Sequence, residues 1–376
     1  MKYHVKCVLL AVAVAVGPSL ITPARAAPPP SHVRVSPDGA GFVVGPGGKA
    51  FAPWGFNYDH DEKNRLLEEY WLSEWPKVEQ DFAEMKALGA NVVRVHLQVD
   101  KFLRGPRDPD PAALGRFGKL LASAEKLGLY LDVTGLGCYR KKDVPAWYDA
   151  LDEAGRWAAQ GAFWKAVAGV GKGSPAVFCY DLMNEPVVPG GKSKDRRWLG
   201  GEFGEFSYVQ FITLDQADRP RPEIARRWAE TLAKAVREAD PDHLVTIGLV
   251  DWSLDRPGLS SGFVPSAVAP ALDFLAVHLY PKRGKLAEDI ATLKGFKDGA
   301  GKKPVIVEET FLLACGVEDL GKFVDQARKD KLAAGWVGFY WGQSIEDCRK
   351  AKTIGGSLTA DWLEYFRAKA PDMTSP

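Results

Sequence analysis

Short apolar segments alternate with helical segments along almost the whole chain, and this alternation restricts the fold more than any other feature of the sequence. The segments are apolar on both faces, as expected for parallel strands that helices cover. Eight strand–helix alternations in one chain favour a closed parallel barrel over an open sheet. The predicted strands are 51–57, 91–97, 129–134, 176–184, 243–249, 272–280, 304–309 and 335–341.

The segments between the strands have the spacing of amphipathic helices. In the helix predicted for 75–88, Val78, Phe82 and Met85 fall on one face, and Gly89 provides the stop. The helical pattern is weakest at 264–270. We therefore predict an α/β fold, a (β/α)8 TIM barrel with a short N-terminal β-hairpin and a long loop after strand 4. The other predicted helices are 112–127, 153–170, 222–239, 286–296, 320–333 and 359–368.

The N-terminus has the pattern of a secretory signal peptide. Two lysines precede a short apolar run at 8–16, and Ala24-Arg25-Ala26 offers small residues for cleavage. The run is far shorter than the roughly 20 residues that cross a bilayer. We predict a signal peptide at 1–26, a Pro-rich linker at 27–31 and one barrel domain at 32–370. The protein would then be secreted or periplasmic, without a membrane contact after cleavage; an uncleaved anchor is the alternative.

Charge balance and histidine spacing argue against several function classes. The chain carries 49 Lys and Arg against 48 Asp and Glu, whereas a nucleic-acid-binding surface needs a basic stripe. The sequence contains no His-x-His, His-x-x-x-His or Cys-x-x-Cys spacing that would indicate a metal centre. We therefore expect no nucleic-acid partner, no metal and no organic cofactor, and we expect a monomer.

Two cysteines follow predicted strand ends by a few residues. Cys315 comes after the seventh strand, and Cys348 comes after the eighth. In an exported protein this placement is compatible with a disulfide between adjacent loops. Two free thiols are the alternative, and the sequence favours neither.

Polar and aromatic side chains are concentrated at the C-terminal ends of the predicted strands. In a parallel barrel these ends share one face, where active sites are built. Glu185 ends the fourth strand and Glu309 ends the seventh, and two such carboxyl groups are what cleavage of a glycosidic bond requires. The other candidates for substrate contact on this face are Arg94, Asn184, His278, Tyr280 and Trp341, together with Asn57, His96 and Trp252.

These motifs, in this order, resemble glycoside hydrolase family 5, the cellulase and β-mannanase family within the retaining (β/α)8-barrel clan. The resemblance covers essentially all of residues 33–370. Any one motif is a weak signal, whereas the complete set with its spacing is specific. The motifs are Gly89-Ala90-Asn91-Val92-Val93-Arg94, Met183-Asn184-Glu185-Pro186, Val277-His278-Leu279-Tyr280, Lys303-Pro304-Val305-Ile306-Val307-Glu308-Glu309 and Gly338-Phe339-Tyr340-Trp341.

The resemblance implies roles for the two carboxylates. Glu185 would be the general acid/base and Glu309 the nucleophile of a retaining mechanism, which needs carboxyl groups about 5–5.5 Å apart. Arg94 and Tyr280 would hold Glu309 ionised through hydrogen bonds. His278 would lie near Glu185.

The resemblance also implies contacts with the sugar. Asn184 would bind the 2-hydroxyl, a contact that strengthens in the transition state. Trp341 would form the floor on which the sugar ring stacks. Neither assignment identifies the sugar.

The pair Glu308-Glu309 requires a choice between two neighbours. Successive strand residues point to opposite faces, so only one of the two is expected to face the barrel mouth. The family pattern Pro-x-x-x-x-Glu selects Glu309. Glu308 is then expected to point towards the helices or a neighbouring loop.

Two departures from the family pattern affect the predicted pocket. The family commonly has a histidine at the end of the third strand, where this chain has Thr134. His96, two residues after Arg94 on the same face of its strand, is expected to fill part of that role. After the seventh strand, Thr310-Phe311 replaces the usual aromatic-Gly pair.

The segment 187–221 is the longest stretch without a predicted element. Its aromatic residues argue against disorder, and they fit either a surface for stacking sugar rings or a small hydrophobic cluster within the loop. These aromatic residues are Trp198, Phe203, Phe206, Tyr208 and Phe211.

The leading hypothesis is that the domain 32–370 is the catalytic domain of an exported retaining glycoside hydrolase. It would cleave a β-linked glycan of the β-glucan or β-mannan type by double displacement, with an oligo- or polysaccharide as its partner. A carbohydrate-binding barrel without turnover is one alternative. A transglycosylase that uses the same two carboxylates is the other.

Overall fold

The computed structural model describes residues 30–192, 197–256, 258–339 and 341–374. The predicted signal peptide and the first three residues of the predicted linker lie outside these ranges. Within them, no helix combines the length and the apolar character needed to cross a membrane.

Eight parallel strands close into a barrel, which confirms the predicted fold. Each strand pairs with the next, and the last pairs with the first, so the barrel has no unpaired edge. Every residue in the eight strands is buried, which explains their apolar character on both faces. Barrel strands 1 to 8 are Trp54–Tyr58, Val92–Gln98, Tyr130–Gly137, Val177–Asn184, Leu244–Val250, Leu275–His278, Val305–Glu309 and Gly335–Gly338.

Helices surround the barrel, and their ends follow sequence signals. Asp110 accepts hydrogen bonds from the backbone of Ala112 and Ala113, and Gly128 ends the same helix at φ +64°. The weak pattern before strand 6 corresponds to one short helix and a 3₁₀ turn. The longer helices are Trp75–Ala87, Pro111–Leu127, Glu153–Gly171, Arg221–Ala239, Leu286–Gly299, Val317–Lys329 and Ile354–Thr374. The shorter ones are Leu67–Tyr70, Val99–Phe102, Ala146–Asp149, Pro265–Val268 and Ile345–Ala351, with 3₁₀ turns at Lys141–Asp143, Asp251–Ser253 and Ala269–Ala271.

A small antiparallel sheet covers the N-terminal end of the barrel. It contains the predicted hairpin, Val33–Val35 with Phe42–Val44, and a third strand, Lys49–Phe51. Phe51 was predicted to begin barrel strand 1, but it belongs to this small sheet. Phe42 packs against Phe178 with ring centroids 5.2 Å apart. This packing closes one end of the barrel and leaves the opposite end for the polar residues.

The long segment after strand 4 contains a β-hairpin that sequence analysis missed. Leu199–Phe203 pairs with Phe206–Phe211, which also pairs with Pro186–Val187. Gly204, at φ +62°, forms the two-residue turn with Glu205. The outer strand reads Leu-Gly-Gly-Glu-Phe, so it lacks the alternation that identifies a strand. A second small hairpin joins Leu103–Gly105 to Asp108–Pro109.

Cys315 and Cys348 are free thiols, so of the two alternatives the disulfide is wrong. The backbone of Ala314, next to Cys315, forms a β-bridge with Lys282 in the loop after strand 6. The Sγ atom of Cys348 instead lies 3.9 Å from the carbonyl oxygen of Gln343 in its own loop.

Candidate active site

Arg94 is the centre of a buried polar network at the C-terminal end of the barrel. Its Nη1 donates to Oε1 of Glu309 at 2.5 Å and to Oδ1 of Asn57 at 2.8 Å. Its Nη2 donates to Asp181 at 2.7 Å and to Asn184 at 3.0 Å. One guanidinium thus connects strands 1, 2, 4 and 7, which are distant in sequence.

Glu309 accepts hydrogen bonds on both carboxyl oxygens. Tyr280 donates to Oε2 at 2.6 Å, and Arg94 donates to Oε1. Burial raises the pKa of Glu309, while the charges of His278 and Arg94 and the Tyr280 hydroxyl oppose that rise. Two donors on two oxygens suit a carboxylate that accepts without holding a proton.

Glu185 follows strand 4 in a strained backbone conformation. Its φ is +47°, in the left-handed region that non-glycine residues rarely adopt. The conformation is held by a hydrogen bond from its N–H to the carbonyl of Gly248 at 2.9 Å. Such strain is concentrated at functional sites. The side chain of Glu185 is 18% exposed, against 7% for Glu309, so Glu185 is the more open carboxyl group.

His278 lies between the carboxyl groups. Its Nδ1 is 2.9 Å from Oε1 of Glu185 and 3.4 Å from Oε2 of Glu309. Burial opposes the charged ring, but the charge of Glu309 and hydrogen bonds with Glu185 and Glu308 raise the pKa of His278 to about 10. The ring is therefore an imidazolium at neutral pH, and its Nδ1–H donates to Glu185.

The two carboxyl groups are close to each other. Glu185, His278 and Glu309 each offer a nitrogen or oxygen atom, and these atoms lie within 4.8 Å of one another. Retaining glycosidases have carboxyl groups about 5–5.5 Å apart, and inverting ones need about 6.5–9.5 Å. The same three side chains also have the spacing of a metal site.

Glu308 also points into the barrel, so the prediction that it faces the helices or a loop was wrong. Val277 pairs with Val307, whereas His278 pairs with Glu309, which makes Glu308 an extra residue in a β-bulge. The bulge breaks the alternation on which the prediction relied. Oε2 of Glu308 lies 3.2 Å from Nε2 of His278.

Thr134 and His96, the two residues expected to replace the family's third-strand histidine, both contact the buried network around Arg94. Thr134 donates to Asp181 at 2.8 Å. His96 lies 3.1 Å from Oδ1 of Asn57 through Nε2 and 2.5 Å from the Tyr139 hydroxyl through Nδ1. Burial and the charge of Arg94 lower the pKa of His96 well below its usual value. His96 is therefore neutral and buried behind Asn57.

A cleft of about 120 Å³ opens over the carboxyl groups. Its inner surface is polar, and its rim is apolar. At the rim, Phe203 is 67% exposed and Leu313 is 56% exposed. The lining residues are Asn184, Glu185, Phe203, Tyr208, Tyr280, Glu309, Leu313 and Phe339.

The prediction that Trp341 forms the floor of this cleft is wrong. It is buried and packs against Phe56, with ring centroids 5.9 Å apart. Phe56 in turn lies 3.9 Å from the Phe366 ring of the C-terminal helix, on the outer side of strand 1. Phe339, two residues earlier in the same motif, lines the cleft in its place. Trp252 is half-buried in a 3₁₀ turn after strand 5 and is not among the lining residues.

Asp181 and Phe339 were not predicted from the sequence as parts of the site. Asp181 has a detectable signal, because it is the one acidic residue within the apolar run of strand 4. Phe339 belongs to a motif that sequence analysis identified, but its orientation depends on where strand 8 ends. Strand 8 ends at Gly338 rather than at 341.

The comparisons with known proteins agree with this geometry. The family model described as cellulase (glycosyl hydrolase family 5) matches residues 49–330. A probable mannan endo-1,4-β-mannosidase A from Aspergillus flavus is 24% identical over an alignment of 229 residues that covers 54% of this chain and 52% of that protein. The chain thus spans about half the length of the fungal relatives that it matches.

Solved structures share the fold at low sequence identity. The exo-β-1,4-mannosidase Op5Man5 from Opitutaceae bacterium strain TAV5 matches with a TM-score of 0.65 and 18% identity, over 90% of this chain and 62% of that one. The endo-1,4-β-mannanase from Rhizomucor miehei matches with a TM-score of 0.60 and 20% identity, over 90% and 100% of the two chains.

Proposed function

This chain belongs to glycosyl hydrolase family 5, and on that premise we propose that it is an exported retaining hydrolase of a β-linked glycan of the β-glucan or β-mannan type. The observation that carries the proposal is the pairing of Glu185 with Glu309. The two carboxyl groups have the short separation of a double displacement, and they differ in exposure and in hydrogen-bond partners.

In the first step Glu309 attacks the anomeric carbon. The bond from Oε of Glu309 to that carbon forms as the glycosidic bond breaks, and the proton of Glu185 passes to the departing oxygen. Arg94 and Tyr280 favour the ionised form of Glu309, because both donate hydrogen bonds to its carboxyl oxygens. The product is a glycosyl-enzyme ester.

In the second step water attacks the anomeric carbon of that ester. Glu185, now ionised, accepts a proton from the water, and Glu309 leaves as a carboxylate. Asn184, whose Oδ1 is fixed by Arg94 and whose Nδ2 donates to the Tyr208 carbonyl at 3.2 Å, would contact the 2-hydroxyl. Fixed side chains of this kind favour catalysis, because no reorganisation is needed during the reaction.

Covalent trapping tests the proposal. The protein is incubated with 2-deoxy-2-fluoro glycosides of gluco, manno and galacto configuration, and the intact mass and the modified peptide are determined. We expect one glycosyl adduct on Glu309 with the manno or gluco reagent. Folded protein without an adduct, and without activity on β-mannans or β-glucans, would instead favour the carbohydrate-binding alternative. A product ladder longer than the substrate would indicate transglycosylation.

Export is a separate part of the proposal, and it rests on the N-terminal pattern. Expression of the full chain in a host with a secretory pathway should yield a protein that starts at Ala27, as measured by N-terminal sequencing. Retention of residues 1–26 would contradict it.

A further inference from the structure

We propose that Glu308 is a positioning residue that, through His278, determines which oxygen of Glu185 carries the catalytic proton. This inference rests on the proposed function, because it concerns the acid/base group of the same reaction. It goes beyond that function because it assigns a role to a residue behind the cleft, which does not touch the substrate.

A continuous chain of hydrogen bonds leads from Glu185 into the barrel. Nδ1 of His278 is 2.9 Å from Oε1 of Glu185, and Nε2 of the same ring is 3.2 Å from Oε2 of Glu308. Since an imidazolium has two N–H donors, His278 donates to both carboxyl groups at once. The ring cannot turn without losing one of these bonds.

Glu308 is held as an anion by Arg94, whose Nη2 lies 3.4 Å from Oε2 of Glu308, and by a hydrogen bond with a second acid. Oε1 of Glu308 and Oδ2 of Asp132 are buried, and within the described part of the chain neither has a nitrogen or hydroxyl partner. A hydrogen bond between the two side chains would give each of them a partner. Two carboxyl groups can form such a bond only if one of them is protonated. Burial and the charge of Glu308 raise the pKa of Asp132, which therefore keeps that proton. Burial favours the neutral form of Glu308, but Arg94 and His278 lower its pKa.

The fold leaves room for this arrangement at one glycine. A Cβ atom at Gly248 of strand 5 would lie 2.7 Å from Nε2 of His278, 2.9 Å from Oε2 of Glu308 and 3.0 Å from Nη2 of Arg94. Any other residue would push into the point where the three groups meet. The backbone N–H of Gly248 donates to Asp181 at 2.7 Å, which fixes the strand against the network.

The consequence concerns the two oxygens of Glu185. Because Oε1 always accepts from the Nδ1–H of His278, the catalytic proton is carried on Oε2. That proton moves from Oε2 to the glycosidic oxygen in the first step, and a proton from water returns to Oε2 in the second. Without the Glu308 anion, His278 loses its second N–H at lower pH, and a neutral ring can offer a lone pair at Nδ1 that competes for the proton of Glu185.

Two isosteric variants test this role. Glu308→Gln removes the anion, whereas Asp132→Asn replaces a neutral donor by a neutral amide donor and leaves Glu308 charged. The ring titration of His278 is followed by NMR of ¹⁵N-histidine-labelled protein without substrate, and its signal is assigned by its loss in His278→Gln. Other charged or titratable groups near the ring stay unchanged in both variants, namely Glu185, Glu309, Arg94, His96 and Asp181.

We expect the His278 midpoint to fall by at least about one pH unit in Glu308→Gln, the scale of losing a neighbouring opposite charge. It should stay near the wild-type value in Asp132→Asn. The alkaline limb of kcat/KM should move down with it, most strongly for glycosides with poor leaving groups. An unchanged His278 midpoint in folded Glu308→Gln would overturn the proposal. If the wild type cleaved no glycoside, the proposed function would fail while the ring titration still tested the Glu308–His278 link.

Discussion

The inner network and the cleft rim are built in opposite ways. Arg94, Asp181 and Glu308 have no exposed surface, and each lies on a strand paired on both sides. Phe203 and Leu313 are mostly exposed and lie on a hairpin tip and a loop. The network therefore fixes the position of the two carboxyl groups, and the rim is the part that can vary without moving them.

The hairpin after strand 4 connects the two regions. Its inner strand is docked, because the N–H of Ser207 donates to Tyr139 at 2.7 Å and the side chain of Gln210 donates to Leu136 at 2.7 Å. Its outer strand, which ends in Phe203, pairs on one side only among the residues that the structure describes. The docked inner strand therefore belongs with the network, and the outer strand belongs with the rim. Four predictions test that division.

The largest effect is expected at Glu309. Glu309→Ala removes the proposed nucleophile and should lower kcat by about 10⁴-fold or more, the scale of losing such a group. Added azide should restore turnover and give a glycosyl azide of inverted configuration, because a small anion can occupy the space of the lost carboxylate. The measurement is product analysis by NMR. Rescue at Glu308→Ala but not at Glu309→Ala would exchange the two roles.

The second effect is expected at Glu185 and depends on the leaving group. Glu185→Ala should slow cleavage of unactivated glycans by about 10²–10⁴-fold, the usual contribution of general acid catalysis. Glycosides with a 2,4-dinitrophenyl group should keep a fast first step and give a burst, since that group leaves without protonation. Stopped-flow absorbance measures the burst. Equal losses for both substrate types would exclude the acid role.

The barrel and the two carboxylates could be predicted because they follow local rules. The apolar run located strand 4 to within one residue; Glu185 directly follows that strand, and Glu309 ends strand 7. Glu308 could not be placed, because alternation assumes a regular ladder and the bulge depends on pairing with strand 6. A register shift of this kind is set by neighbours that are distant in sequence.

Side chains beyond the strand ends were harder to predict for a different reason. Trp341 and Phe339 are both aromatic and two residues apart, so the sequence does not distinguish which one faces the cleft. The end of strand 8 at Gly338 decides it, and the Phe56 surface on the outer side of the barrel takes up Trp341. The hairpin was missed because its outer strand contains two glycines and no alternating pattern.

The third prediction separates these two aromatic residues. Phe339→Ala should raise KM by roughly three- to tenfold, from the loss of about 1 kcal/mol of apolar contact, with little change in unfolding. Trp341→Phe should lower the free energy of unfolding by roughly 1–3 kcal/mol and leave KM unchanged. Urea unfolding and steady-state kinetics on both variants give the two quantities. A change in KM for Trp341→Phe without a loss of stability would indicate that Trp341 contacts the substrate after all.

The smallest effect is expected at the tip of the hairpin, and it tests the rim most directly. Phe203 offers an apolar face to a sugar ring, and its exposure limits what one contact can contribute to roughly 0.5–1 kcal/mol. Phe203→Ala should therefore raise KM for oligosaccharides about two- to fivefold and leave KM for a monosaccharide aryl glycoside unchanged. Leu72→Ala is the matched control, because Leu72 is 62% exposed but is not among the cleft-lining residues. If Phe203→Ala changed kcat for every substrate equally, the outer strand would act on the reacting groups, and the division between network and rim would be wrong.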